Sequence, residues 1–246
     1  MGKLPSGFDI LAYEIHAHLN PEFLNDKIDV QGLDIAKLKR YQEMINTLIA
    51  SQKKIERYEL YFESFYPSTN VISKDEALLH HMHSYLEDIY LLSNAIEFLF
   101  GQLKSDLKQV APNKDEVCNS LDACLDKIKP IFANAREDRR KHRHAIERYL
   151  DADLSRVGLI NTLVQTGTAL FQDRLKDGAL EYMTGEADKS FENAKTERIK
   201  MAKKNREVSS ELMDGLFLSI EDLIYQFLGI QPIIRDKLKN VKWTDD

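Results

Sequence analysis

SKDEALLHHMHSYLEDIYLLSNAIEFLFGQL, residues 73–103, decides the fold. Its apolar residues Leu78, Met82, Tyr85, Ile89, Leu92, Ile96, Leu99 and Leu103 recur in alternating steps of four and three. That period belongs to a helix that buries one stripe against other helices, and no strand can hold it. Ser73 and Glu76 open the run with the spacing of a capping box, in which the serine oxygen takes a free first-turn amide and the glutamate reaches back. The segment therefore predicts a long helix with a fixed start.

The same reading extends in both directions. Upstream, Tyr41, Met44, Leu48, Ile55, Tyr58, Phe62 and Phe65 keep helical phase, with Ser51 in the missing step, and predict one helix over about 34–66, stopped by Pro67-Ser68-Thr69-Asn70. Downstream, Ala111-Pro112-Asn113 ends the quoted helix, and Asn113 with Glu116 signals the start of the next. Its seam reads Leu121, Leu125, Ile128, Phe132, Ala135, Arg139, His142, Ile146, Tyr149, with Pro130 predicting a kink or break near Lys129. Residues 155–171 are amphipathic, and Asp177-Gly178 and Thr184-Gly185 read as turns. The charged stretch from about 186 to 206 offers only Phe191, Ile199 and Met201 for burial, so it is a helix with one wet face or a connector. Leu212, Leu216, Ile220, Leu223 and Phe227 restore a seam before Gly229 and Pro232. The expectation is an all-α protein: a helical bundle of five to seven helices with long amphipathic helices, in a single domain spanning 1–246.

Composition agrees. The 246 residues are 43% hydrophobic and 30% charged, with only 10 Gly and 6 Pro, too few for the many tight turns of an all-β domain. A net charge of −6 argues against a surface that grips nucleic acid everywhere, while leaving room for a local basic patch. Two cysteines, Cys118 and Cys124, make no disulfide framework. No run approaches the roughly 20 apolar residues of a membrane span, and Met1 to Ile10 lacks the apolar centre of a signal peptide. A soluble, cytoplasmic protein that does not engage membranes is expected.

Chemistry is sparser. The sequence has no glycine-rich phosphate loop, no Cys-x-x-Cys, no His-Glu-x-x-His and no Gly-x-Ser-x-Gly, which sets aside nucleoside triphosphatases, zinc fingers, zincin proteases and α/β-hydrolases. Glu76 with His80, and His80 with His83, have ligand spacing on a helix, but the Glu-x-x-His repeats of di-iron bundles are missing, and no metal or other cofactor is expected. The densest feature is Arg136-Glu-Asp-Arg139-Arg140-Lys141-His142-Arg143-His144, five positive charges against two negative. Runs of like charge are ordinarily solvated. Arg139 and His142, however, stand in the seam that holds Phe132 and Ile146, where a charge needs a carboxylate from a neighbouring helix or a cleft.

This run resembles the site of the HEPN superfamily, small all-helical domains many of which are metal-independent ribonucleases or RNA-binding modules. Their pattern is an arginine, four to six residues and a histidine. Arg139 to His144 fits with four between, and Arg136 to His142 with five; Arg140 stands where a small polar residue is usual. His83-Ser-Tyr-Leu-Glu87-Asp-Ile-Tyr is similar to the family's early helix, which often adds an acidic residue near the site. The likeness covers about 74–170, the other helices being additions. It implies an RNA-directed protein, a metal-independent endoribonuclease of a toxin or defence system. His144 is then the acid/base group and Arg139 the phosphate clamp, assisted by Arg136, Arg140 and His142, with Lys141, Arg143, Glu87 and His83 contacting RNA. Arg139 and His144 are about 140° apart around one helix, so a homodimer that closes a cleft over both is implied. The competing expectation is a non-enzymatic helical dimer or adaptor in which the same residues form a core ion network.

Overall fold

The computed structural model describes residues 5–23, 30–66, 72–111, 113–144, 152–171 and 178–235, and among them the backbone is helical with no strand. Seven helices follow in order: α1 (Gly7–Leu19), α2 (Ile35–Glu56), α3 (Tyr58–Ser64), α4 (Lys74–Val110), α5 (Lys114–His144), α6 (Ala152–Phe171) and α7 (Ala179–Leu228). A single 3₁₀ turn, Pro21–Phe23, follows α1. The protein is an all-α helical bundle, and no helix among the described residues is long and apolar enough to cross a membrane.

The quoted segment is the 37-residue α4. All eight seam residues from Leu78 to Leu103 are buried, none more than 5% exposed. The capping box at its start is formed: Glu76 Oε2 accepts from Ser73 N at 2.9 Å, and Ser73 Oγ accepts from Glu76 N at 3.4 Å. At the head of α5, Asn113 offers its carbonyl to Val117 N at 3.1 Å.

Three local expectations are corrected, and a fourth is narrowed. The helix expected over 34–66 is two helices, α2 and α3, divided at Arg57. There the amide of Arg57 bonds Lys54 O at 3.1 Å, a tightened three-residue closure that interrupts the α-helical ladder. Of the kink or break expected near Lys129, no break occurs: α5 continues through Pro130 to His144. A proline costs the helix one bond, and Ile128 and Phe132, buried on either side, hold the two halves in phase. Thr184-Gly185 is not a turn but part of the 50-residue α7, where Thr184 Oγ1 bonds back to Leu180 O. The charged stretch 186–206 is likewise helix, with Ala187, Phe191, Ala194 and Ala202 forming its dry side. Near 212–228 the buried stripe keeps Leu216 and Ile220 of the expected seam but takes Met213, Phe217, Ile224 and Leu228 in place of Leu212, Leu223 and Phe227, which are half-exposed.

The chain forms two compact units, each assembled from separated segments. The first comprises residues 1–53, 91–132 and 207–246. Its core gathers Phe8, Leu11 and Ile15 of α1, Leu38, Tyr41 and Ile45 of α2, Leu99 and Leu103 of α4, and Ile220 and Ile224 of α7. α1 begins with a capping box of its own, Ser6 and Asp9 exchanging bonds of 3.1 and 3.2 Å. Burial pushes the Asp9 carboxyl up, but the bonds from Ser6 and Lys53 more than offset it and hold the group below its ordinary value. Gly229, at φ +71°, closes α7 with bonds from Gly229 N to Gln226 O and from Ile230 N to Tyr225 O, a left-handed cap that a residue with a Cβ adopts at a cost.

The second unit comprises residues 54–90 and 133–206. An aromatic cluster centres it: Tyr58 packs edge-on against Tyr85 at 5.0 Å, and Phe62 against Tyr85 at 5.7 Å. Each buried hydroxyl has a partner, Tyr58 donating to Asp88 Oδ2 at 2.7 Å and Tyr85 accepting from Asn205 Nδ2 at 2.7 Å.

Candidate functional site

α5 carries the basic run and α4 the acidic face opposite it, both within the second unit. Residues three apart on a helix share a face, so Glu87 and Tyr90 stand side by side on α4. Arg139 lies across both. Its Nε donates to Glu87 Oε2 at 2.8 Å, and its guanidinium carbon stands 3.7 Å from the centre of the Tyr90 ring. The two side chains of the ion pair are 14% and 25% exposed, so the pair is largely shielded from water. A cation over an aromatic face contributes about 0.5–2 kcal/mol depending on desolvation. An ion pair at this depth is screened less than one at the surface.

The guanidinium is thus held on one edge and one face. Its two Nη groups have no hydrogen bond to any described residue. That is the fork that matches two oxygens of a phosphate or carboxylate.

The other expected site residues are placed unevenly. Arg140 is exposed and turned to its own helix, its Nε and Nη2 bonded to Glu137 at 2.8 and 2.7 Å. Those bonds push its already high value up. Arg136 is half-buried and has interactions of its own. His83 is exposed one helical turn before Glu87. Lys141, His142, Arg143 and His144 belong to α5 by their backbone, but their side chains lie outside the described residues, as do Ile146 and Tyr149. Among the residues singled out from sequence, Arg139 and Glu87 are brought into direct contact.

Tyr90 was missed as a site residue. The available signal was its spacing of three from Glu87 on a helix whose buried stripe runs through Ile89. The carboxylates Asp88 and Glu87 diverge: Asp88 turns to Tyr58 and to Lys54 at 3.6 Å.

No group of three His, Cys, Asp or Glu residues among those described could hold a metal ion. Glu76 is committed to the cap of α4, and His80 is exposed. His81 pins the end of α3, its Nε2 2.6 Å from Phe65 O. His18, in the first unit, is a satisfied core histidine: its Nδ1 stands 2.8 Å from Glu14 O and its Nε2 3.3 Å from Gln231 N. Its neighbour Glu14 is fully buried. Desolvation pushes its carboxyl above the ordinary value, although Oε1 accepts from Ile234 N and Arg235 N at 2.6 and 2.9 Å.

Two open clefts lie in the first unit, of about 340 and 450 Å³, lined mainly by α5 with the end of α7 and by the end of α4 with Lys37 and Phe227. Neither includes a residue of the basic run. Both cysteines are free thiols, Cys118 buried and Cys124 lining the smaller cleft. Comparison with known proteins adds no relative: no family model, no curated protein and no solved structure matches this chain.

Proposed function

We propose that this chain is an HEPN-like, RNA-directed protein acting as a metal-independent endoribonuclease of a toxin or defence system in the cytoplasm. The observation that carries the reading is the Arg139 guanidinium, held by Glu87 and Tyr90 with its Nη fork free of described partners. In this reaction a base removes the proton of a 2′-hydroxyl, the oxygen attacks the adjacent phosphorus, and an acid protonates the departing 5′-oxygen. The products are a 2′,3′-cyclic phosphate and a 5′-hydroxyl. Arg139 neutralises the charge that builds on the phosphoryl oxygens, and His144 moves the proton, since imidazole titrates near neutral pH. Arg136 and His142 assist, Arg140 supports through the helix, and Lys141, Arg143 and His83 track the RNA backbone. The two sides of α5 serve one phosphate where a second copy closes the cleft, so the active form is a homodimer.

A second reading has its own supporting observation. The Arg139–Glu87 pair accounts by itself for a charged residue in the α5 seam, and a non-enzymatic dimeric interaction or scaffold protein needs nothing more. One experiment separates them. His144→Ala is expected to slow cleavage of single-stranded RNA by about 10²–10⁴-fold in EDTA with little change in melting temperature. Arg139→Ala is expected to cost about 1–3 kcal/mol of stability, because the largely covered Glu87 carboxylate loses the charged bond from Nε. A wild-type chain that cleaves no RNA tested, beside a destabilised Arg139→Ala, overturns the nuclease reading in favour of the scaffold.

A further inference from the structure

We infer that Tyr90 is a positioning residue, which sets Arg139 to receive an RNA phosphodiester; the inference rests on the RNA-directed reading above. An arginine side chain has four rotatable carbon bonds, and its phosphate fork is useful only if those rotations are already restricted. Glu87 alone does not restrict them enough. A single bond of 2.8 Å from Nε leaves the guanidinium plane free to swing about the N–O axis. The Tyr90 ring removes that freedom, because a guanidinium 3.7 Å from a ring centre lies against the ring face. With the Nε edge bonded to Glu87 and one face closed by Tyr90, the Nη edge is the part left for an incoming anion. A phosphodiester offers two unesterified oxygens at the spacing that edge accepts.

Two features favour an RNA phosphate over a protein carboxylate as the occupant. The run from Arg136 to His144 adds four further basic side chains, Arg136, Arg140, Lys141 and Arg143, to the same stretch of α5, which suits a polyanion with repeated charges. Tyr90 follows Glu87 by one turn, so edge and face contacts come from one rigid helix rather than from a loop.

The test is binding of a fluorescein-labelled oligouridine, read by anisotropy across a salt titration, with the melting temperature of each variant as a control. Arg139→Gln is expected to weaken binding and to reduce the steepness of its salt dependence by about one phosphate contact. Tyr90→Phe keeps the ring face and should bind as the wild type does. Tyr90→Leu should lose about 2- to 30-fold in affinity and show the same reduced salt dependence as Arg139→Gln. The double variant Arg139→Gln with Tyr90→Leu should bind no more weakly than Arg139→Gln alone, because the ring acts through the arginine. Should Tyr90→Leu fail to fold, Tyr90→Met, an unbranched side chain of similar reach without a ring face, replaces it.

If Arg139→Gln is impaired while Tyr90→Leu binds with the wild-type affinity and salt dependence, the positioning role is wrong and the RNA-directed reading stands. If the wild type and Arg139→Gln bind alike, or neither binds, both fall together.

Discussion

Tyr85 is 1% exposed, and burial pushes its phenol up to about 12, a shift that the bond from Asn205 only partly offsets. The consequence for stability has a definite sign. Below pH 10 the phenol is protonated in folded and unfolded chains alike and contributes nothing to pH dependence. Between the unfolded value of 10.0 and the folded value of about 12 the unfolded chain ionises and the folded one does not, so stability falls as pH rises. The loss approaches about 1.4 kcal/mol per pH unit for each such group. Tyr58 and Tyr41 are pushed in the same direction, by burial first and then by the carboxylates of Asp88 and Asp106. Urea unfolding at several alkaline pH values should therefore show a steep decline above pH 10. Tyr85→Phe should start less stable, because Asn205 loses its acceptor, and then decline less steeply. An equal slope in both proteins would show that the buried phenol does not govern alkaline unfolding.

At the scale of the element, what could be read depended on length and uniformity. α4 was legible because eight apolar residues hold one phase over a helix without proline, so each supports the others. The breaks were not. The division at Arg57 rests on a single amide choosing Lys54 O, a difference of one residue in the ladder that leaves no mark on the hydrophobic pattern. The continuity of α7 through Thr184-Gly185 arises because a pair read as a turn costs only about 1 kcal/mol inside a helix that is anchored on both sides. α1 escaped notice because its 13 residues give too few periods, although the Ser6–Asp9 box was there to read. The candidate site was half legible for the same kind of reason. Arg139 betrayed itself as a charge in an apolar seam and Glu87 as an acid on the facing helix, whereas Tyr90 depends on how α4 is rotated, which periodicity fixes only to within a residue. Gly7 offers a test at this scale. It begins α1 where the ring of Phe217 lies so close that a Cβ would overlap it, and Phe217 is itself buried and packed edge-on against Phe8 at 5.4 Å. Gly7→Ala should cost about 1–3 kcal/mol through forced repacking, read from the urea midpoint, despite alanine's better helix propensity. A neutral or stabilising result would mean that α1 and α7 do not meet there.

Over the whole molecule, the proposed homodimer is tested at the apolar residues left in water. Leu159 and Leu163, one turn apart on α6, are 61% and 49% exposed, and Tyr182 at the start of α7 is 71% exposed. Single exposed apolar side chains are ordinary, and an interface over α6 would have to cover this pair. Light scattering at micromolar concentration should give twice the chain mass of 28.4 kDa, and Leu159→Glu with Leu163→Glu should return it to the single mass without lowering helicity. A wild type that scatters as a single chain would remove the dimeric cleft from the mechanism.

The 50 residues of α7 have a bearing on how the protein is made. The helix gives its first part, through Arg206, to the second unit and the rest to the first, and α4 and α5 are shared between units in the same way. Neither unit is a contiguous length of chain. A ribosome delivers residues in order, so α1 and most of α2 emerge early with their apolar faces bare and wait for residues beyond 206 to complete their core. The second unit closes only once residues up to 206 are made and the first only beyond that, so a message cut short within α7 yields an unburied hydrophobic surface rather than a smaller working protein.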